Sequence, residues 1–183
     1  MAKKALVFLA DGFEEVEAVT PIDYLRRAGV ELTTVSISGN RTVTGSHKVP
    51  VIADKTLAEI DGVYDALLLP GGMPGAANLA AGAEVGKRLK EQAASGRIVA
   101  AICASPALVL APLGLIAGRR FTCYPGMEKE TSGGNWSEDR VVVDGNIVTS
   151  RGAGTAVDWA VALIGLLLSP ACGEKLAKAI VLR

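Results

Sequence analysis

Histidine and cysteine are scarce: the 183 residues contain one histidine, His47, and three cysteines, Cys103, Cys123 and Cys172. An odd number of cysteines without C-x-x-C spacing makes a poor disulfide framework, and one imidazole beside them makes a poor zinc site. No metal and no cofactor is expected on this count, and a reducing, cytoplasmic setting is the simplest fit. Charge of one sign is also missing. The 19 basic and 19 acidic residues cancel and form no basic stripe, so nothing points to specific nucleic-acid binding. Aromatic residues make up only 4%, which leaves the core to Ala, Val, Leu and Ile. No apolar run is long enough for a membrane span: the most apolar stretch, 159–168, is short and has Asp158 at its edge. Met1-Ala2-Lys3-Lys4 runs straight into a strand-like segment without an h-region, so no signal peptide is expected, and the sequon Asn135-Trp136-Ser137 should stay unmodified.

What is present is an alternation of apolar runs and helical patterns over a length that suits one domain, 1–183, with a full core. Residues 5–10 read as a buried strand. Asp11 and Glu14 then form a plausible helix start, and Phe13, Val16, Val19, Ile22 and Leu25 mark the apolar face of a helix stopped by Gly29 and disturbed at Pro21. Residues 30–38 form a second strand and 41–52 a polar hairpin turning at Gly45-Ser46. Thr56 and Glu59 make a capping box. A third buried strand, 65–70, leads into Gly71-Gly72, followed by helical pieces at 76–80 and 84–95. Residues 119–123 read as a short strand, 124–139 as an exposed loop, and 141–148 as a hairpin turning at Asp144-Gly145. Thr155 and Asp158 suggest another capping box, opening a buried helix, and 171–181 a last amphipathic one. This order defines an α/β protein whose mostly parallel sheet is covered on both faces. Ligands of such sheets bind outside the carboxyl ends of the strands. The loops at 11–17, 70–75, 103–106 and 151–155 share that edge.

The central feature is the run 98–110, in which a β-branched strand reaches Cys103 and a helical pattern begins at once around Pro106. Ala101 and Ser105 are small enough for a sharp turn, as in a nucleophile elbow with cysteine in place of serine. A helix beginning there would direct its N–H groups and positive dipole end at the sulfur and favour thiolate.

Two features converge on Cys103. Glu17, on the helix after the first strand, would have a raised pKa if held in a desolvated site beside the thiol, and its proton could then support a thiolate. Glu14, Glu15 and Glu17 are equally available as first-turn acids complementing a helix dipole. Gly71 and Gly72 allow close backbone approach and could aim N–H groups at an oxyanion together with Ala104, or simply form a tight turn. Gly152-x-Gly154 reads as structural. His47 falls in the polar hairpin, where a surface or interface role suits it better than a Cys-His pair, while strand order places Tyr124 nearer the pocket.

The motifs Ala5-Leu6-Val7, Glu14-Glu15-x-Glu17, Leu69-Pro70-Gly71-Gly72, 100–104 and 149–155 occur in one order with one spacing, over essentially the whole chain. As a set this resembles the ThiJ/PfpI superfamily, in the branch of the parkinsonism-associated protein deglycase and bacterial YajL. The resemblance implies a flavodoxin-like three-layer sandwich. It also implies a homodimer formed partly through the first helix and the hairpin around His47, and a Cys103 nucleophile supported by protonated Glu17. It further implies cofactor-free conversion of methylglyoxal or glyoxal (glyoxalase III type), deglycation of glyoxal-modified amines and thiols, and a redox-responsive, chaperone-like role. The expected partners are therefore small α-oxoaldehydes or glycated amines and thiols, with Gly71, Gly72, Ala104 and Tyr124 binding the substrate or its oxyanion. A redox sensor whose Cys103 oxidises to sulfinate without turnover is the alternative, and a cysteine peptidase the weaker one, because Ala104 stands where that branch has histidine. The chain departs from the pattern at Tyr124 (often histidine), His47 (arginine in some members), Ala153 (proline) and Ser105 (glycine or alanine), which bears on substrate preference more than on core chemistry.

Overall fold

In the computed structural model, which describes residues 2–182, strand β1 (Lys4–Leu9) sits near the middle of a seven-stranded sheet. Its residues are apolar on both faces, as a strand buried on both sides requires. Ala5, Val7 and Leu9 pack on one side and Leu6 and Phe8 on the other, so one period-two alternation feeds two cores. The other strands of this sheet are β2 (Glu31–Ser36), β5 (Lys55–Thr56), β6 (Ala66–Leu69), β7 (Ile98–Ile102), β10 (Val141–Asp144) and β11 (Ile147–Ser150). Their order is β10-β11-β7-β6-β1-β2-β5, parallel throughout except for the antiparallel edge strand β10. Between β2 and β5 the chain makes the small hairpin β3 (Thr42–Thr44) and β4 (Pro50–Ile52).

Helices cover both faces. On the first, α1 (Glu15–Arg27), α4 (Ala156–Leu167) and α5 (Pro170–Ala179) contribute Ala18, Leu25, Trp159, Leu163 and Leu176 to the core. On the second, α2 (Gly75–Ala81) and α3 (Ala83–Ala94) contribute Leu79, Val85 and Leu89. This is a three-layer α/β sandwich of the flavodoxin-like kind.

Several local expectations need correction. Val16 and Val19 do not face the core but are exposed, and α1 instead buries Glu17, Ala18, Pro21 and Leu25. Asp11 does not cap α1: its carboxylate accepts the Thr44 N–H at 2.8 Å, tying the hairpin to the end of β1. Thr155 and Asp158 form no capping box. The Thr155 hydroxyl bonds Gly152 and Ser150, while Asp158 pairs with Arg140 at 2.6 Å. The loop expected over 124–139 contains a 3-10 turn at Met127–Glu130 and a strand, β9 (Asn135–Trp136), paired with β8 (Arg120–Phe121). A two-residue strand leaves no periodicity to read. The capping box at Thr56 and Glu59 and the hairpin turn at Asp144-Gly145 occur as expected.

Candidate active site

Cys103 follows β7 with φ of +64°, a left-handed conformation uncommon for a residue with a side chain. The turn is held on several sides. The Cys103 N–H donates to the Ser150 carbonyl at 3.0 Å, and the Cys103 carbonyl accepts the Tyr124 N–H at 2.8 Å. The wholly buried Ser105 donates its hydroxyl to the Pro70 carbonyl at 2.6 Å, clamping the elbow to the end of β6. The helix expected after the elbow is instead a five-residue π-type turn, Pro106–Leu110, followed by turns to Gly118. Pro112 cannot donate to the Leu108 carbonyl, and the Ala111 N–H reaches back to Pro106 instead, which fits this widened turn. So short a segment brings little dipole to the sulfur. The donors facing Cys103 are individual backbone N–H groups, those of Gly72 and Ala104.

Glu17 lies on the inward face of α1 and is 1% exposed. Its Oε2 accepts the Gly71 N–H at 2.9 Å, so Gly71 is committed to the carboxyl while Gly72 faces the sulfur. The other oxygen, Oε1, is buried and has no hydrogen-bond partner. A Cβ built on Gly152 would lie 3.9 Å from Oε1 and 3.5 Å from the Tyr124 ring, so Gly152 and Tyr124 wall that side of the site. Gly71 is the spacer of the whole arrangement: a Cβ there would fall 2.7 Å from the Cys103 Cβ and 2.7 Å from Glu17 Oε2. Gly72, at φ +87°, is wedged against the backbone of Gly12 and Phe13.

Burial is the main influence on Glu17 and raises its carboxyl from 4.5 to about 7, the nearby Glu14 adding to the rise and hydrogen bonds from Cys103 and Gly71 opposing it. Burial also pushes the Cys103 thiol up to about 12, with the Glu17 charge adding to it, against the Gly72 and Ala104 N–H groups. These are successive losses from one coupled pair, because two adjacent buried groups resist carrying charge together. The pair therefore keeps one proton between about 7 and about 12.

His47 is elsewhere. Its Nδ1 lies 3.0 Å from Glu15 Oε2 and 3.4 Å from Glu14 Oε2, and burial at Glu15 is outweighed by bonds from His47 and Val49 that hold that carboxylate at about 2. Ser105 is the participant that sequence reading valued only for its size; the visible signal was a hydroxyl inside an otherwise apolar run beside proline. The buried Cys123 and the half-buried Cys172 do not join the cluster around Cys103 and Glu17.

A flavodoxin-like sheet with a cysteine elbow at its carboxyl edge, beside a buried carboxyl, defines a class of α/β proteins rather than one activity. The chain belongs to the DJ-1/PfpI family, whose model matches residues 3–166. It is 40% identical over 183 residues to protein DJ-1 homolog B of Arabidopsis thaliana, 99% of this chain but 42% of that protein's length. It is 34% identical over 181 residues to the glutathione-independent glyoxalase DJR-1.2 of Caenorhabditis elegans, covering 96% of this chain and 95% of that one. Among solved structures, oxidised DJ-1 of Toxoplasma gondii superposes with a TM-score of 0.95 at 39% identity, covering 98% of each chain. No helix among the described residues is long and apolar enough to cross a membrane.

Proposed function

We propose that this chain is a cysteine-dependent, cofactor-free glyoxalase III-type enzyme and deglycase acting on methylglyoxal, glyoxal and their adducts. The observation that carries the reading is a cysteine at a strand-end elbow held against the buried Glu17 carboxyl across Gly71, with no histidine at hand. That arrangement suits proton shuffling on a small carbonyl substrate better than expulsion of an amine from a peptide.

The Cys103 sulfur attacks the aldehyde carbon of methylglyoxal, and the proton on Glu17 passes to the new alkoxide, giving a hemithioacetal. The Gly72 and Ala104 N–H groups lie where they can hold the developing oxyanion. Glu17, now a carboxylate with Oε1 free, takes the proton from the former aldehyde carbon and returns it to the adjacent carbon through an enediol. The resulting thioester is hydrolysed by water, releasing lactate and restoring the thiol. The sum is methylglyoxal plus water to lactate and a proton, an internal redox exchange without external oxidant. Tyr124, half-exposed beside Gly152, shapes the mouth. A glycated amine or thiol enters the same cycle when the Cys103 sulfur takes its place on the hemiaminal or hemithioacetal carbon, the C–N or C–S bond breaking as the leaving amine or thiol takes the proton from Glu17.

The test is multiple turnover of methylglyoxal to lactate without added thiol or cofactor. Wild type should turn over and Cys103→Ser should not; equal rates in both would sink the reading. A second reading, a redox sensor with a chaperone-like role, is favoured by the oxidised state of the Toxoplasma gondii relative. It expects stoichiometric oxidation of Cys103 to sulfinate and no turnover of any α-oxoaldehyde.

We further propose a homodimer through α1 and the β3–β4 hairpin. The exposed Val16, Val19, Val49 and Ile52 lie on these neighbouring elements and leave apolar area without a partner. Free, unpaired cysteines suit a reducing, cytoplasmic setting.

A further inference from the structure

The hairpin turn between β3 and β4 folds over the start of α1 and brings three ligand-type side chains together outside the Cys103 site. The Ser46 N–H donates to the Phe13 carbonyl at 2.8 Å, and the His47 N–H donates to Glu15 Oε1 at 2.7 Å. Gly45 is so close to Glu15 that a Cβ on it would overlap the carboxylate, which holds that side chain in place. With Oε1 occupied by backbone, Glu15 presents Oε2 to His47 Nδ1 at 3.0 Å, and Glu14 presents its own Oε2 to the same nitrogen at 3.4 Å. The Ser46 hydroxyl lies 3.3 Å from each carboxylate and 3.1 Å from the imidazole nitrogen.

We propose that Glu14, Glu15 and His47 form a binding site for a divalent transition-metal ion of the zinc type. One oxygen from each carboxylate and the imidazole nitrogen lie within 4.8 Å of one another, the spread that a single ion can gather. The donor set is one nitrogen and two carboxylate oxygens, with a hydroxyl in reach. That suits zinc, cobalt or nickel; magnesium and calcium prefer all-oxygen shells. Both carboxylates are largely shielded, while the His47 side chain is 72% exposed in the single chain, so the imidazole can swing onto an ion. Holding two carboxylates against one point calls for a cation between them, and either a proton on His47 or a metal ion supplies it. The site is tied to the neighbouring chemistry through backbone: the Glu14 N–H donates to the Gly71 carbonyl at 2.9 Å.

The experiment is calorimetric titration of zinc chloride into the full chain carrying Cys103→Ala, which removes the competing thiol, with and without His47→Ala or Glu14→Gln. The expected result is one zinc per chain, with affinity falling at least about ten-fold in each second variant. Cobalt chloride, used as a spectroscopic probe, should show visible bands without a thiolate charge-transfer band. His47 is exposed, so its loss should leave the fold intact, which circular dichroism checks. Zinc affinity unchanged by His47→Ala, a thiolate signature in the cobalt spectrum, or no saturable zinc binding would each overturn the proposal and leave a protonated histidine as the only cation there.

Discussion

Cys103 and Glu17 meet across Gly71, which has no side chain to keep them apart: a Cβ there would lie 2.7 Å from the β-carbon of one and 2.7 Å from a carboxyl oxygen of the other. The contact between thiol and carboxyl thus depends on a residue that contributes only backbone. Gly71→Ala should destabilise the fold by about 1–3 kcal/mol through overpacking. It should also slow alkylation of Cys103, because the two side chains must separate. Urea unfolding and the rate of iodoacetamide labelling read these effects; unchanged values in both would mean the site relaxes freely.

Ser105 clamps the elbow rather than taking part in chemistry. Ser105→Ala removes the 2.6 Å bond to the Pro70 carbonyl inside a wholly buried environment. The expected cost is about 1–3 kcal/mol, seen as a lower urea midpoint at unchanged slope.

Stability should depend on pH through the Cys103–Glu17 pair. Its first proton is held up to about 7 in the folded chain, against the 4.5 of an ordinary glutamate carboxyl. Below 4.5 both folded and unfolded chains carry it; above that the unfolded chain releases it first. The folded state's advantage is therefore full at low pH and lost as pH rises through 7, on the order of 3 kcal/mol in all. Glu17→Gln removes the carboxyl from the pair, so the stability difference between wild type and variant should shift against wild type from pH 5 to 8. His47, also raised by its bond to Glu15 and the charge of Glu14, acts in the same direction but is present in both proteins and cancels in the difference. A difference that stays flat over this range would show that the pair takes its first charge without cost.

The proposed dimer makes a separate prediction. Val19→Asp together with Ile52→Asp places charge on the exposed apolar elements without touching the core. Light scattering should report a dimer for wild type and a monomer for the double variant; a wild-type monomer contradicts the proposal.

Much of this architecture was legible because strands buried on both faces announce themselves as short apolar runs, as β1, β6 and β7 do. The elbow was legible because β-branched residues stop abruptly at Cys103. The sequence was less informative where tertiary contacts decided the outcome. Val16 and Val19 fit a helical stripe, yet α1 turns the Glu17 face inward, since that carboxyl finds the Gly71 N–H there. Asp11 and Asp158 had capping spacing, but each was taken by a partner distant in sequence, Thr44 and Arg140. The π-type turn that begins at Pro106 is closed by the Ala111 N–H reaching back to the Pro106 carbonyl, a widened bond that periodicity does not reveal. The convergence of Glu14, Glu15 and His47 required the hairpin to fold over the start of α1, which no local pattern reveals.

The central claim is that the proton shared by this pair rests on Glu17, leaving Cys103 as thiolate near neutral pH. The direct measurement is the ultraviolet absorbance of the Cys103 thiolate as a function of pH, by difference between wild type and Cys103→Ser. The claim predicts thiolate absorbance that rises as the pair loses its first proton, far below the value of about 12 to which burial pushes the thiol. A thiol that stays protonated through neutral pH and ionises only toward about 12 would place the proton on sulfur and contradict it.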